Sequence, residues 1–222
     1  MFMQAALTRA FNLLNSGKIG EGDIVSMYFI SDLGNLEGSV ESETKRLSPQ
    51  YGKTREFGIW SHAGIDGPIG SEPTSRNALD GNQMTMDGWS QIDFNWADGP
   101  TKAGFYGCNT GRDPEGNDRA SFVTDLSAQK NMKDVFVWGQ STSSYPSMYT
   151  NVRETTSAMR GGQFNHPTYM VAAPPLDILS DRILSQYAPT SANPMRISRN
   201  GKGVTRNAIG QSYYKPGRKK GR

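Results

Sequence analysis

Two short apolar runs constrain the fold of this 222-residue chain more than any other feature. Residues 57–61 lead directly to His62, and residues 103–107 lead directly to Cys108, the only cysteine. Neither run alternates apolar and polar residues as a half-exposed strand does, so both predict strands that are covered on both faces, as in a parallel α/β sheet. Because the carboxyl ends of parallel strands lie at one edge of a sheet, His62 and Cys108 are expected to meet there.

The pattern along the chain predicts an α/β fold: a mainly parallel sheet flanked by helices, with a loop-rich extension after residue 145. The predicted strands are 23–31, 56–61, 102–106, 134–138 and 169–173, and the predicted helices are 4–15, 119–127 and 176–187. Residues 89–96 fit a strand or a short helix about equally well. The glycine-rich residues 63–88 are predicted to form a long loop region.

Charge divides the chain into a predicted domain, residues 1–187, and a basic tail, residues 188–222. The tail holds nine Lys or Arg residues and no Asp or Glu, which leaves the first 187 residues with a net charge of −6. A basic tail suits an acidic partner or a cognate inhibitor better than nucleic acid here. The simpler alternative is a solvated, flexible end that folds back on the acidic body.

Several classes of protein are disfavoured by composition. No segment approaches the roughly 18 consecutive apolar residues of a membrane span, and the N-terminus lacks the basic and apolar regions of a signal peptide. We therefore expect a cytoplasmic protein, or one secreted by a signal-less route. A single cysteine excludes an internal disulfide. Two histidines and one cysteine, widely separated, match no zinc spacing, and no cofactor is implied.

A thiol and an imidazole at one sheet edge predict nucleophilic catalysis. A free thiol is only a few per cent thiolate at neutral pH. A neighbouring imidazole accepts the thiol proton during attack on a carbonyl and later returns it to the leaving amine. His62 and Cys108 are therefore the predicted catalytic pair of a cysteine peptidase acting on a protein or peptide substrate.

The order of these motifs is also informative. His62 and Cys108 stand 46 positions apart, and the cysteine opens the segment Cys108-Asn109-Thr110-Gly111. Over roughly residues 23–144 the chain resembles the caspase-like peptidases of the caspase–hemoglobinase fold. The bacterial CHAT group, whose cysteine segment often reads Cys-x-Thr-Gly, is the most similar. The resemblance implies a three-layer sandwich, a His–Cys dyad and the context of a secreted bacterial effector or toxin domain.

Further site residues follow from this interpretation. Backbone N–H groups around Gly64 and Gly107 are predicted to hold the oxyanion of the reaction. The family usually has Gly directly after the histidine, where this chain has Ala63, and often Ala before the cysteine, where it has Gly107. Side chains near the expected cleft are Asp66, Arg112 and Ser141 as predicted substrate-binding residues, with Asp125 nearby.

Three alternatives stay open or are set aside. His166 is a rival base, since papain-like hydrolases place the histidine after the cysteine. A caspase-like domain that has lost activity would act as an interaction module. A serine hydrolase built on Ser141 is rejected, because the segment from Gly139 lacks the final Gly of the nucleophile elbow G-x-S-x-G.

Overall fold

A computed structural model describes residues 2–15, 19–47, 52–115, 118–141, 144–146, 157–159, 168–171 and 195–204. Its helices are α1 (Phe2–Asn15), α2 (Leu36–Leu47), α3 (Met86–Gln91) and α4 (Phe122–Ser127), with 3-10 turns at Leu33–Asn35 and Lys130–Met132. Its first strands are β1 (Glu56–Ile59), β2 (His62–Gly64), β3 (Gly67–Ile69), β4 (Ala78–Asp80), β5 (Gln83–Met84) and β6 (Lys102–Phe105). The later strands are β7 (Phe136–Gly139), β8 (Ser144–Pro146), β9 (Ser157–Met159), β10 (Thr168–Val171), β11 (Arg196–Arg199) and β12 (Lys202–Gly203).

The main sheet has five strands in the order β1-β6-β7-β11-β12. The pairs β1–β6 and β6–β7 are parallel, whereas β11 pairs antiparallel with both β7 and β12. The predicted α/β fold with a mainly parallel sheet is thus confirmed for the three strands around the candidate site. The two antiparallel strands come from a part of the chain where no strand was predicted.

Helices and aromatic side chains cover both faces of this sheet, which explains the unbroken apolar runs. One face packs on α3 and α4 through a core that includes Trp89, Ile92, Phe94, Phe105, Phe122, Leu126 and Val137. The N-cap of α3 is Thr85, whose hydroxyl accepts the Gly88 N–H at 3.1 Å. The opposite face buries Tyr106, Trp138 and Ile197, and the Trp60 ring stacks on Tyr106 with centroids 4.5 Å apart.

A buried lysine anchors the second face. Lys102 is 5% exposed, donates to the Tyr106 hydroxyl at 2.8 Å and lies 3.6 Å from a Glu56 carboxylate oxygen. Arg9 of α1 binds the same carboxylate, with Nε at 2.8 Å from Oε1. Burial raises the pKa of Glu56, but the charges and hydrogen bonds of Lys102 and Arg9 outweigh burial and lower the pKa overall. This network attaches α1 to β1.

Two predictions about the first half of the chain are wrong. Residues 23–31, predicted as a buried strand, belong to no strand among the described residues, and Phe29 is 82% exposed. Strand propensity reflects packing within a pleated sheet, and this segment joins no sheet in the described structure, although Ile30 packs against the main core. The predicted loop at 63–88 instead contains a four-stranded antiparallel sheet, β2-β3-β5-β4, and the start of α3.

Other predictions hold in outline. Helices α1 and α4 and strand β10 lie where they were expected, and residues 89–96 begin in α3 and continue as irregular chain. Strand β10 pairs with β8 and β9 in a small separate sheet. The predicted helix at 176–187 lies outside the described residues. Within the described part of the chain, no helix is both long enough and apolar enough to cross a membrane.

The predicted boundary at residue 188 needs correction, because β11 and β12, which lie within the predicted tail, belong to the main sheet. Ile197 is 3% exposed beside Trp138. Two basic residues of the predicted tail pair with acidic residues of the body: Arg196 with Asp113 at 2.8 Å, and Arg199 with Asp134 at 2.9 Å. At these positions the tail folds back on the acidic body, which was the simpler alternative.

Candidate active site

The candidate site is the edge where β1, β6 and β7 end. Ile59 is level with Phe105 in one parallel ladder, and Phe105 is level with Gly139 in the next. His62 and Cys108 each follow three residues beyond these aligned positions, and Ser141 follows two residues beyond. The backbone segments that carry the three predicted side chains therefore leave the sheet side by side.

Gly107 brings the histidine and cysteine segments into contact. A Cβ on Gly107 would overlap the Cβ of Ala63 and lie 2.9 Å from the carbonyl oxygen of Ser61. Such distances essentially never occur for a real Cβ next to backbone, so only glycine fits without movement. Gly107, immediately before Cys108, thus contacts Ser61 and Ala63, the two neighbours of His62.

The turn after Cys108 is held by hydrogen bonds within the turn and to Gln140. Asn109 has a φ of 59°, in the left-handed region that Asn tolerates better than most residues. The buried Thr110 hydroxyl donates to the Phe105 carbonyl at 3.1 Å and accepts the Gln140 N–H at 3.0 Å. Gly111 donates to the Gln140 carbonyl at 2.8 Å. These bonds tie the segment after Cys108 to the end of β7.

The two candidate catalytic side chains differ in exposure. Cys108 forms no disulfide, and the residue is half-buried rather than fully enclosed in the core. His62 is exposed and begins β2. Its imidazole packs against the ring of Phe2 in α1, with the two rings nearly perpendicular and their centroids 4.9 Å apart. Helix α1 therefore reaches the candidate site at its first residue.

The structure places the predicted oxyanion and substrate-binding residues in different surroundings. Gly64 pairs with Gly67 across the β2–β3 hairpin, and the backbone that touches Gly107 comes from Ser61 to Ala63 instead. Asp66 lies in the turn of this hairpin and binds Arg119 at 2.8 Å. The other two predicted substrate-binding residues are Arg112 and Ser141. Arg112 forms an ion pair with Glu115, and Ser141 is half-buried after the end of β7.

Charged groups line the side of the edge near α4. Burial raises the pKa of Asp125, the negative charge of Asp113 raises it further, and Arg119 opposes both. Asp113 also accepts the Ser121 N–H at 3.1 Å, just before α4. Among the described residues, no group of three or more His, Cys, Asp or Glu side chains could hold a metal ion. The rival base His166 lies outside those residues.

Sequence reasoning missed the roles of Thr110 and Gln140. Thr110 was seen only as part of the Cys-x-Thr-Gly segment, and Gln140 only as part of an incomplete serine motif. Both are buried, at 0% and 1% exposure, and their hydrogen bonds join two segments that are 30 residues apart. The one available signal was their position close behind apolar strands, since β6 ends at Phe105 and β7 at Gly139.

The comparisons with known proteins add no further assignment. The chain matches no protein-family model, no curated protein and no solved structure.

Proposed function

We propose that the chain is a cysteine peptidase in which Cys108 is the nucleophile and His62 the general base. The observation that carries the proposal is the contact of Gly107 with the backbone from Ser61 to Ala63 at the aligned ends of β1 and β6. It brings the segments of the two side chains together, as proton transfer within hydrogen-bond reach requires. Cys108 is half-buried and His62 is exposed, as expected of residues that must contact a large substrate.

The proposed reaction is acyl transfer to the thiol followed by hydrolysis. His62 takes the proton from Cys108 as the sulfur attacks the carbonyl carbon of the scissile peptide bond. Backbone N–H groups around Gly107 and Cys108 stabilise the oxyanion, with Gly64 as the second proposed contributor. His62 then protonates the leaving amine, and the C–N bond breaks. Water, deprotonated by His62, attacks the thioester and releases the acid and the free thiol.

The substrate is proposed to be a protein or peptide that binds across the Asp66, Arg112 and Ser141 side of the edge. Asp66 and Arg112 are both engaged in ion pairs, so a charged substrate residue would have to exchange partners to bind them. The resemblance to caspase-like peptidases supports the finer proposals of a three-layer sandwich and a secreted bacterial effector or toxin. An acidic partner or cognate inhibitor is proposed for the basic residues near the C-terminus.

One observation favours a second candidate, an inactive caspase-like interaction module. The Phe2 ring packs on the His62 imidazole with centroids 4.9 Å apart, and an imidazole held by a structural contact of this kind fits a residue that serves the fold. In that case the chain would keep its sheet and the contact between Phe2 and His62, while the thiol and the imidazole would catalyse no reaction.

Cleavage of a peptide library tests the proposal. We expect Cys108→Ala and His62→Ala each to lower kcat/KM by at least about 10³-fold, because the two residues act as a unit. His166→Ala is expected to keep wild-type activity, as is the surface control Gly38→Ala, where a Cβ meets nothing within 4 Å.

Three other outcomes of the cleavage test would contradict the proposed pair of Cys108 and His62. Loss of cleavage in His166→Ala but not in His62→Ala would favour the papain-like pair of Cys108 and His166. Cleavage that survives Cys108→Ala would overturn the thiol mechanism. An absence of any cleavage by the wild-type chain would favour the interaction module.

A further inference from the structure

The side chain of His62 is restrained by an aromatic ring from outside the sheet. The Phe2 ring of α1 stands at 80° to the imidazole, with the two centroids 4.9 Å apart. Among the described residues, the imidazole has no hydrogen bond and no ion pair. The backbone of His62 is held separately, because it pairs with Ile69 across β2 and β3 and its carbonyl accepts the Ser61 hydroxyl at 2.6 Å. The ring of Phe2 is thus the specific partner that the structure gives to the imidazole itself.

Helix α1 is anchored to β1 on the same helix face that carries Phe2. Phe2, Ala5 and Arg9 are three and seven positions apart, which places them on one side of a helix. Ala5 is 3% exposed, and the guanidinium of Arg9 donates to both carboxylate oxygens of Glu56, at 2.8 and 2.6 Å. Helix α1 is therefore attached at two points, to the imidazole of His62 by Phe2 and to the start of β1 by Arg9.

An exposed histidine that acts as a general base needs a restraint on its orientation. An exposed side chain samples several rotamers, whereas proton transfer requires one geometry. In catalytic pairs of nucleophile and base, a third group commonly orients the base. An edge-to-face pair of rings favours its own geometry by about 2- to 12-fold. Phenylalanine carries no hydrogen-bonding group, so this contact occupies neither ring nitrogen of the imidazole.

We propose that Phe2 is a positioning residue of the peptidase, whose ring holds the His62 imidazole in the orientation that takes the Cys108 proton. Arg9 acts through Phe2, because it anchors the helix that carries the ring. The inference rests on the proposed function, since it names the group that orients the general base. In an inactive module the same contact would serve the fold alone, and the kinetic effect of removing the ring separates the two roles.

The first test removes the ring and keeps an apolar side chain. We expect Phe2→Leu to lower kcat by about 2- to 12-fold with KM unchanged, because orientation of the base affects the chemical step and not substrate binding. Phe2→Tyr keeps the ring and is expected to retain wild-type kcat. The matched control is Met3→Leu, at the neighbouring position of α1, where the side chain is 60% exposed. This control is expected to leave both constants unchanged.

Three kinetic results would overturn the positioning role. Wild-type kcat in Phe2→Leu would show that the contact serves the fold alone. A higher kcat in Phe2→Leu would show that the ring obstructs the base. Equal losses of kcat in Phe2→Leu and Met3→Leu would show that the substitutions disturb α1 as a whole.

A double-mutant cycle tests whether Arg9 acts through Phe2. Arg9→Gln removes the guanidinium that binds Glu56. We expect it to lower kcat in the wild-type background and to have a smaller effect in the Phe2→Leu background, because the two residues then belong to one path. Losses that simply multiply would overturn this role of Arg9.

An NMR measurement reads the contact without any activity. The chain has two histidines, so the Cε1–H signal of His62 is assigned in the Cys108→Ala protein by its persistence in a further His166→Ala variant. We expect Phe2→Leu to move this signal, because it removes the ring current of Phe2, and Met3→Leu to leave it in place. An unmoved signal in Phe2→Leu would overturn the proposal.

The two measurements together distinguish the two proposals. A signal that moves in a chain without any peptide cleavage would overturn the peptidase proposal and, with it, the catalytic use of the contact. A signal that moves in an active peptidase whose kcat is the same in Phe2→Leu would overturn the positioning role alone.

Discussion

The most specific structural prediction is that substitution of Gly107 by alanine destabilises the fold. The added methyl group would overlap the Cβ of Ala63 and stand 2.9 Å from the Ser61 carbonyl oxygen and 3.4 Å from the Ala63 nitrogen. Two of these three atoms are backbone, so the methyl group cannot be accommodated by a side-chain rotation alone. Overpacking of this kind costs about 1–3 kcal/mol. In a chain of this size each kcal/mol lowers the unfolding temperature by about 2–4 °C, which gives an expected loss of about 2–12 °C.

Thermal unfolding followed by circular dichroism measures this effect against a matched control. Gly38→Ala adds the same methyl group in α2, where nothing lies within 4 Å, and should be neutral or stabilise by up to about 1 kcal/mol. Adding Ala63→Gly to Gly107→Ala removes the Cβ overlap and should restore part of the stability. Equal unfolding temperatures for Gly107→Ala and the wild type would show that the histidine and cysteine segments do not touch.

Two further predictions concern stability. Glu56 has a lowered pKa in the fold, so its contribution is present above its unfolded value, about 4.3, and is lost as the pH falls through the lower folded pKa. The difference in unfolding free energy between wild type and Glu56→Gln, measured in urea, should therefore shrink from pH 7 to pH 3; a constant difference would contradict the network with Lys102 and Arg9. Phe29→Ser should change the unfolding free energy by no more than about 0.5 kcal/mol, because Phe29 is 82% exposed. Phe105→Ala, at a fully buried position, should lower the unfolding free energy by about 3–5 kcal/mol in the same urea titration. A comparable loss for Phe29→Ser would show that residues 23–31 are buried after all.

The central strands of the sheet could be predicted from the sequence because the pattern that identifies each strand lies within the strand itself. The runs that end before His62 and Cys108 are apolar without alternation, and buried parallel strands require that pattern. The same reasoning failed at residues 23–31, where β-branched and aromatic residues are equally dense. Nothing within that segment shows whether a neighbouring strand is available to it.

The contacts that build the candidate site are long-range, and local patterns do not encode them. Arg196 and Ile197 join the sheet from a region of basic and glycine-rich sequence, where burial depends on Trp138 and Asp113 rather than on neighbours in the chain. The contact between Phe2 and His62 is likewise visible only in the structure. Sequence order could place residues at the edge but could not say which of their atoms are already bonded.

The central claim is that the thiol of Cys108 and the imidazole of His62 act together, and the alkylation rate of Cys108 tests it most directly. An ordinary thiol has little thiolate at pH 6 and reacts slowly with iodoacetamide. We predict rapid alkylation of the wild-type chain at pH 6 and a rate at least about tenfold lower in His62→Ala, with the rate of His166→Ala unchanged. Equal rates for the wild type and His62→Ala would contradict the proposed pair.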